Sequence, residues 1–172
     1  MRKVILYIAS SVDGYIARKD GDVDWLVPDP TFDFKEFDQT VDTVIMGYKT
    51  YEKSLTFGEE VFKGKQYYVY TRKHLDRSDP RVEFINEDIS VFVDKQKALP
   101  GKDIWLMGGG DLISSFLQAG VVDEMMLFIF PRILADGIPL FTEAYPELEV
   151  KLVDTNAYKS GLVELKYEII KK

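Results

Sequence analysis

Short apolar runs alternate along this chain with stretches whose apolar residues recur every three or four positions, and turn residues separate the two kinds. Lys3–Ala9 is a compact run of strand formers that ends at the turn-like Val12-Asp13-Gly14. Residues 18–31 are polar and broken by Gly21, Pro28 and Pro30, so they read as a long loop of the sort that carries function. Phe32, Phe34, Phe37 and Val41 mark a short amphipathic helix. Val44-Ile45-Met46 is a buried strand running into Gly47, and Tyr48–Leu55 is helical after it. Tyr67–Tyr70 and Val82–Ile85 read as strands, with a basic segment Thr71–Arg77 after the first. Ile89, Phe92, Val93, Gln96 and Leu99 have helical spacing, closed by Pro100-Gly101.

Ile104–Met107 is a further central strand, ending at Gly108-Gly109-Gly110. Asp111–Ala119 follows as a helix with Leu112, Phe116 and Leu117 facing inward. Glu124–Ile133 is a long strand, and the period-two segments Leu148–Ala157 and Leu162–Ile170 suit a terminal antiparallel hairpin. Strands that alternate with helices predict an α/β fold: three layers (α/β/α) around a mixed, mostly parallel central sheet. At 172 residues, with no linker or repeat, positions 1–172 form one expected domain.

Composition narrows the function. The net charge of −7 disfavours nucleic acid, whose phosphates need Lys and Arg to neutralise them. Any anionic ligand must meet a local cluster of cations or backbone N–H groups. The absence of cysteine excludes disulfides and thiolate sites and fits a reducing, cytoplasmic setting. With a single histidine, His74, no metal centre is expected. Met1-Arg2-Lys3 before an apolar run mimics a signal peptide, but the run is short and Asp13-Gly14 follows at once, so it reads as a core strand. No stretch reaches the ~20 apolar residues of a membrane span.

Two strand–turn–helix junctions carry the candidate chemistry, Gly47 before Tyr48-Lys49-Thr50 and the triplet Gly108-Gly109-Gly110 before Asp111. Such junctions aim the free N–H groups of a helix start past the carboxyl end of a strand, and glycine lets a phosphate approach closely. The Thr50 hydroxyl adds a donor. Taken together in one alternating sheet, they point to the pyrophosphate of a dinucleotide. The Rossmann fingerprint is not the explanation, since Ile113 stands where its third glycine belongs. Arg72-Lys73-His74, with Arg77 nearby, is the best candidate for a dianion such as the 2′-phosphate of NADPH, because the guanidinium fork binds phosphate bidentately.

These pieces resemble a known family. ILYIASSVDGYIA (Ile5–Ala17), VIMGYKTYE (Val44–Glu52) and IWLMGGGDLISSFL (Ile104–Leu117) occur in this order in dihydrofolate reductases. VDEMMLFIFPRILADGIPLF (Val122–Phe141) looks still more like the reductase family that includes the C-terminal domain of the riboflavin-biosynthesis protein RibD. The resemblance implies a dihydrofolate reductase-like sheet with NADPH across its strand ends. It implies that Ala9, Ile16 and Ala17 line the nicotinamide pocket. Gly47, Tyr48, Lys49 and Thr50 would meet the pyrophosphate and adenosine side, Thr71 and Arg72 the 2′-phosphate, and Gly108, Gly109, Gly110 and Leu112 the pyrophosphate again. It also implies a cis peptide between Gly108 and Gly109. Two departures stand out. Tyr48 occupies a position where many relatives have Arg, and no carboxylate falls where dihydrofolate reductases hold their buried acid; Thr31 or Pro30 lands nearest, flanked by Asp29 and Asp33.

The expected activity is an NADPH-dependent reduction of a small pterin-like or pyrimidine-derived substrate. Genuine dihydrofolate reduction, and a non-catalytic nucleotide-binding dimer scaffold, are the alternatives. Trp25 and Phe34 are expected on the substrate side. Asp13 is the first candidate acid and Asp33 the second, with water as a third proton source. A homodimer is expected from the resemblance, with Phe128, Phe130 and the terminal strands as its apolar surface.

Overall fold

The computed structural model describes residues 1–27, 29–73, 76–142 and 145–171. In chain order the elements are β1 (Val4–Ser11), β2 (Tyr15–Ala17), α1 (Phe34–Thr40), β3 (Val41–Gly47) and α2 (Tyr48–Leu55). A 3-10 turn at Glu59–Phe62 leads to β4 (Gln66–Tyr70), β5 (Glu83–Ile85), α3 (Ile89–Ala98), β6 (Asp103–Gly108) and α4 (Gly110–Gln118). The chain ends with β7 (Glu124–Phe130), β8 (Ile138–Pro139), β9 (Val150–Ala157) and β10 (Val163–Ile169).

Eight strands form one sheet in the order β5-β4-β3-β6-β1-β7-β10-β9. The first six run parallel, and β10 and β9 add an antiparallel edge. Because successive strand residues face opposite sides, each central strand feeds both layers. Leu6, Ile45 and Leu106 pack one face against Phe92 and Val93 of α3 and Ile113, Phe116 and Leu117 of α4. Val44, Met46, Tyr67 and Val69 pack the other face against Tyr51 of α2, and Ile5 and Val41 pack there against Phe37 of α1. The three-layer expectation holds.

Some boundaries differ for physical reasons. Val41 opens β3 instead of closing α1, as its β-branched side chain favours. β7 stops at Phe130, because Pro131 has no N–H for a ladder. Sequence periodicity gave no sign of the ribbon in which β2 pairs antiparallel with β8, since strands of three and two residues carry no period. Phe128 is core and Phe130 is half-buried, so neither supplies an open apolar surface. That surface lies on β9, where every residue is exposed and Leu152 and Val153 are 50% and 53% accessible. Among the described residues no helix is long and apolar enough to cross a membrane.

Candidate functional site

The neighbours β3 and β6 send their following helices in opposite directions. From β3, α2 leads outward to β4 on one face; from β6, α4 leads past β1 to β7 on the other. Adjacent strands whose connections diverge leave a crevice beyond their carboxyl ends, where open α/β sheets bind ligands. Both glycine junctions open onto this crevice. Met46 is in register with Gly108, and a methyl placed on Gly47 would lie 3.8 Å from the Gly108 carbonyl oxygen and 3.9 Å from the Gly109 nitrogen.

The first turns of α2 and α4 border the crevice. Their capping residues are Gly47 and Gly109, and neither helix has a side-chain cap on its free N–H groups. Those donors, with the positive ends of two helix dipoles, suit a diphosphate. The Gly108–Gly109 peptide is cis, and Gly108 has φ +109°, a conformation only glycine adopts readily. A methyl on Gly109 would approach Thr50 Oγ1 to 3.5 Å and Ile16 Cδ1 to 3.9 Å, while one on Gly47 would reach Leu112 Cβ at 3.9 Å. The structure therefore brings together Ile16, Gly47, Thr50, Gly108, Gly109 and Leu112. Gly110 has a packing duty, because its Cβ would lie 2.6 Å from the Pro139 carbonyl oxygen of β8. Ala9 is half-buried near the end of β1, paired with Phe128, and Ala17 is buried in the β2–β8 ribbon.

Beside the start of α2, Arg77 donates a hydrogen bond to the Tyr48 hydroxyl. Its guanidinium lies 5.7 Å from the centre of the Tyr48 ring and 5.3 Å from that of Tyr51. Sequence spacing gave no means of seeing this contact across 29 residues. Tyr70, the last residue of β4, pairs with Gly47, so Arg72 and Lys73 leave the sheet next to α2; both are exposed. Lys49, Arg72, Lys73 and Arg77 are among the nine described cations that make no ion pair with a described residue, and these four lie near α2. Thr71 is buried; its N–H bonds the Ile85 carbonyl and its hydroxyl accepts from the Lys73 N–H. His74 lies outside the described residues.

The candidate acids are committed as acceptors. Asp13 accepts from the Ser11 hydroxyl at 2.6 Å and from the N–H groups of Leu134 and Ala135, which ties the loop after β7 to the turn after β1. The Ser11 bond, followed by those backbone donors, holds its carboxyl below the usual range, so it carries no proton to give near neutrality. Asp33 caps α1 by accepting from the Lys35 N–H at 2.8 Å. Asp29, adjacent to the expected acid position, is 7% exposed and accepts from the N–H and hydroxyl of Thr31 and from the Ser160 N–H. Hydrogen bonds from Ser160, then Thr31, hold it at about 2.

Between the crevice and α1, one sheet face carries an aromatic group that sequence reading reached only through Phe34. Tyr7 stacks on Phe37 at 4.0 Å, with Phe34, Trp105 and Phe128 around it at 5.5, 5.9 and 4.4 Å. Phe32 bridges Phe128 and Tyr158 at 5.1 and 5.9 Å. Alternation on β1 and β6 puts Tyr7 and Trp105 on this face, and that was the available signal. Trp25 is 3% exposed and edge-on to Phe130; its indole N–H has no acceptor among the described residues.

A mixed sheet with divergent helices, a glycine-lined crevice and a cis diglycine defines a dihydrofolate reductase-like α/β domain. Dihydrofolate reductase from Enterococcus faecalis superposes with a TM-score of 0.75 at 16% identity, over 98% of this chain and 97% of that one. Residues 2–164 match the RibD C-terminal domain, and the chain belongs to that family. It is 39% identical to the uncharacterized protein YwjB of Bacillus subtilis (strain 168), over 96% of this chain and 97% of the relative. A putative riboflavin biosynthesis protein from Shewanella sp. PV-4 is similar in structure, with a TM-score of 0.86 at 28% identity, covering 98% of this chain and 99% of that one.

Proposed function

We propose that this protein is an NADPH-dependent reductase that passes hydride to a small pterin-like or pyrimidine-derived substrate. The observation that carries the reading is the convergence of two uncapped helix starts on one crevice at the switch point of the sheet. Gly47, Tyr48, Lys49 and Thr50 would hold one phosphate of the dinucleotide, and Gly108, Gly109, Gly110 and Leu112 the other. Ile16, with Ala9 and Ala17, would face the nicotinamide, which supplies the hydride when bound. The unpaired cations beside α2 favour NADPH over NADH. Arg72 and Arg77 are the residues suited to its extra dianion, with Thr71 shaping the turn that presents them. This assignment supplies from the loop after β4 the charge that Tyr48 lacks.

The protein's own part is to orient and to exclude water, with Trp25 and Phe34 walling the substrate side. None of Asp13, Asp29 and Asp33 is a proton donor in this reading. Membership of the RibD family favours a pyrimidine-derived substrate, and the hydrogen-bonded state of Asp29 and Asp33 argues against dihydrofolate itself. Two copies would pair through the uncovered apolar residues of β9, in a cysteine-free chain suited to the cytoplasm.

The test is titration with NADPH and NADH separately, followed by the fluorescence of Trp25 and Trp105. NADPH should bind about tenfold more tightly, the ratio that one charge-assisted contact provides. Equal affinities would remove the NADPH assignment, and no response to either would remove the reductase reading. Turnover of dihydrofolate, inhibited by antifolates, would restore the dihydrofolate reductase alternative; cofactor binding without turnover of any imine or pterin would favour the scaffold.

A further inference from the structure

We propose that Asp79 is a positioning residue for coenzyme choice: through the Tyr51 hydroxyl it clasps the loop between β4 and β5 to α2, and so fixes the Arg77 guanidinium for the 2′-phosphate of a dinucleotide. The proposal rests on the reductase reading above and adds to it the device that makes one exposed arginine selective.

The loop leaves the sheet at Thr71, whose N–H bonds the Ile85 carbonyl, and returns as β5. It carries three arginine or lysine cations without ion partners, and they are not held alike. The side chains of Arg72 and Lys73 are exposed and make no hydrogen bond, ion pair or ring contact among the described residues. Arg77 is exposed too, but it is seated: its guanidinium lies 5.3 Å from the centre of the Tyr51 ring and 5.7 Å from that of Tyr48, whose hydroxyl it bonds. A long cationic side chain that must be ordered on binding loses about three- to tenfold in affinity, and one already seated avoids that loss.

Asp79 supplies the anchor for this seat. Its side chain is only 8% exposed. Oδ2 accepts the Tyr51 hydroxyl at 2.7 Å and Arg81 Nη2 at 2.6 Å, while Oδ1 accepts the Arg81 N–H and Nε at 3.0 and 2.8 Å. These bonds, those from Arg81 first, hold the carboxyl well below the usual carboxylate range. Arg81 in turn lies over the Phe62 ring at 5.1 Å. Tyr51 is 1% exposed and edge-on to Phe84 of β5 at 5.3 Å, so its ring is fixed from below. The Tyr51–Asp79 bond thus ties buried α2 to the loop two residues beyond Arg77. One tyrosine serves both ends of the device, its hydroxyl holding the loop and its face seating the cation that the loop carries. The two arginines divide the partners between them. Arg81 takes the carboxylate, and Arg77 takes the rings, which steady a guanidinium without neutralising it. Arg77 therefore keeps its charge and its outward N–H groups for a phosphate.

Calorimetric titration of the intact protein with NADPH and NADH tests this in the wild type, Tyr51→Phe, Asp79→Ala, Arg77→Ala and the double variant Tyr51→Phe/Arg77→Ala, with folds checked by circular dichroism. Tyr51→Phe is the decisive variant, because the ring stays and Arg81 still partners Asp79. Tyr51→Phe and Asp79→Ala should each weaken NADPH about three- to tenfold and leave NADH unchanged. In the Arg77→Ala background Tyr51→Phe should weaken NADPH no further. Limited trypsin digestion without coenzyme, read by mass spectrometry, should show faster cleavage after Arg77 in Tyr51→Phe than in the wild type. Parallel weakening of both coenzymes, unchanged NADPH affinity in Tyr51→Phe, or an undiminished effect in the double variant would overturn the proposal. Failure of the wild type to bind either coenzyme would strike the reductase reading instead. The trypsin rates would then decide the clasp by themselves, equal rates after Arg77 removing it.

Discussion

Gly47→Ala separates a glycine needed by the fold from one needed by a ligand. Gly47 has φ −80° and ψ 161°, an extended conformation open to any residue. The new methyl would meet its nearest neighbours at 3.8–3.9 Å, ordinary contact distances. The expected structural cost is that of Ala for Gly at a helix cap, about 1 kcal/mol, or a fall in Tm of about 2–4 °C for a chain of this size. The same methyl lies between the two glycine junctions, where the diphosphate must approach. Each hydrogen bond to a charged group is worth about 1.5–3 kcal/mol, so losing one weakens NADPH binding about tenfold to a hundredfold. Tryptophan fluorescence titration and a thermal melt on the same sample measure both quantities. Gly110→Ala is the internal contrast. Its methyl would press to 2.6 Å on the Pro139 carbonyl, so it should lose about 1–3 kcal/mol of stability through overpacking. Wild-type NADPH affinity in Gly47→Ala would show that the phosphates do not lie between the junctions.

Arg77→Ala should weaken NADPH about tenfold while leaving NADH unchanged, because in the proposed pose only the extra phosphate would meet that guanidinium; parallel loss of both would make Arg77 a packing residue. Asp29 sits at about 2 in the folded protein, below the ordinary carboxylate value near 4. It therefore contributes stability above pH ~4 that is lost as the pH falls toward ~2. Asp29→Asn should flatten that part of the acid limb in urea melts, and identical limbs in both proteins would refute the assignment. Leu152→Asp, at a site 50% exposed on β9, should turn a dimer into a monomer by light scattering; a monomeric wild type would end that reading.

What the sequence displays follows from what is local or periodic. The helices at Tyr48 and Gly110 and the strands before them were legible because glycine breaks and apolar runs are read within a dozen residues. The meeting of Gly47 with Gly108 was legible only as an expectation, since it depends on β3 and β6 becoming neighbours across some sixty intervening residues. The β2–β8 ribbon was hidden because five residues have no period. Asp13 looked like an acid because a carboxylate beside a ligand loop has two uses. Only the partners at Ser11, Leu134 and Ala135 show that it serves as a tie. Arg77 and the aromatic group share one cause of invisibility: each joins residues far apart in the chain, Arg77 to α2 and the rings across β1, α1 and β6, and no spacing rule connects Tyr7, Phe34, Trp105 and Tyr158.

Four cations that make no ion pair among the described residues stand on the α2 side of the crevice. Lys49, Arg72, Lys73 and Arg77 lie beside α2 and the end of β4, and Asp29 and Glu164 accept hydrogen bonds beside the rings near α1. A dinucleotide lying across β3 and β6 has its phosphates at one end and, once oxidised, a positive ring at the other. Such a ligand would align with this field in one direction only. Turned about, it would set phosphate against carboxylate and lose the contacts to Arg72 and Arg77.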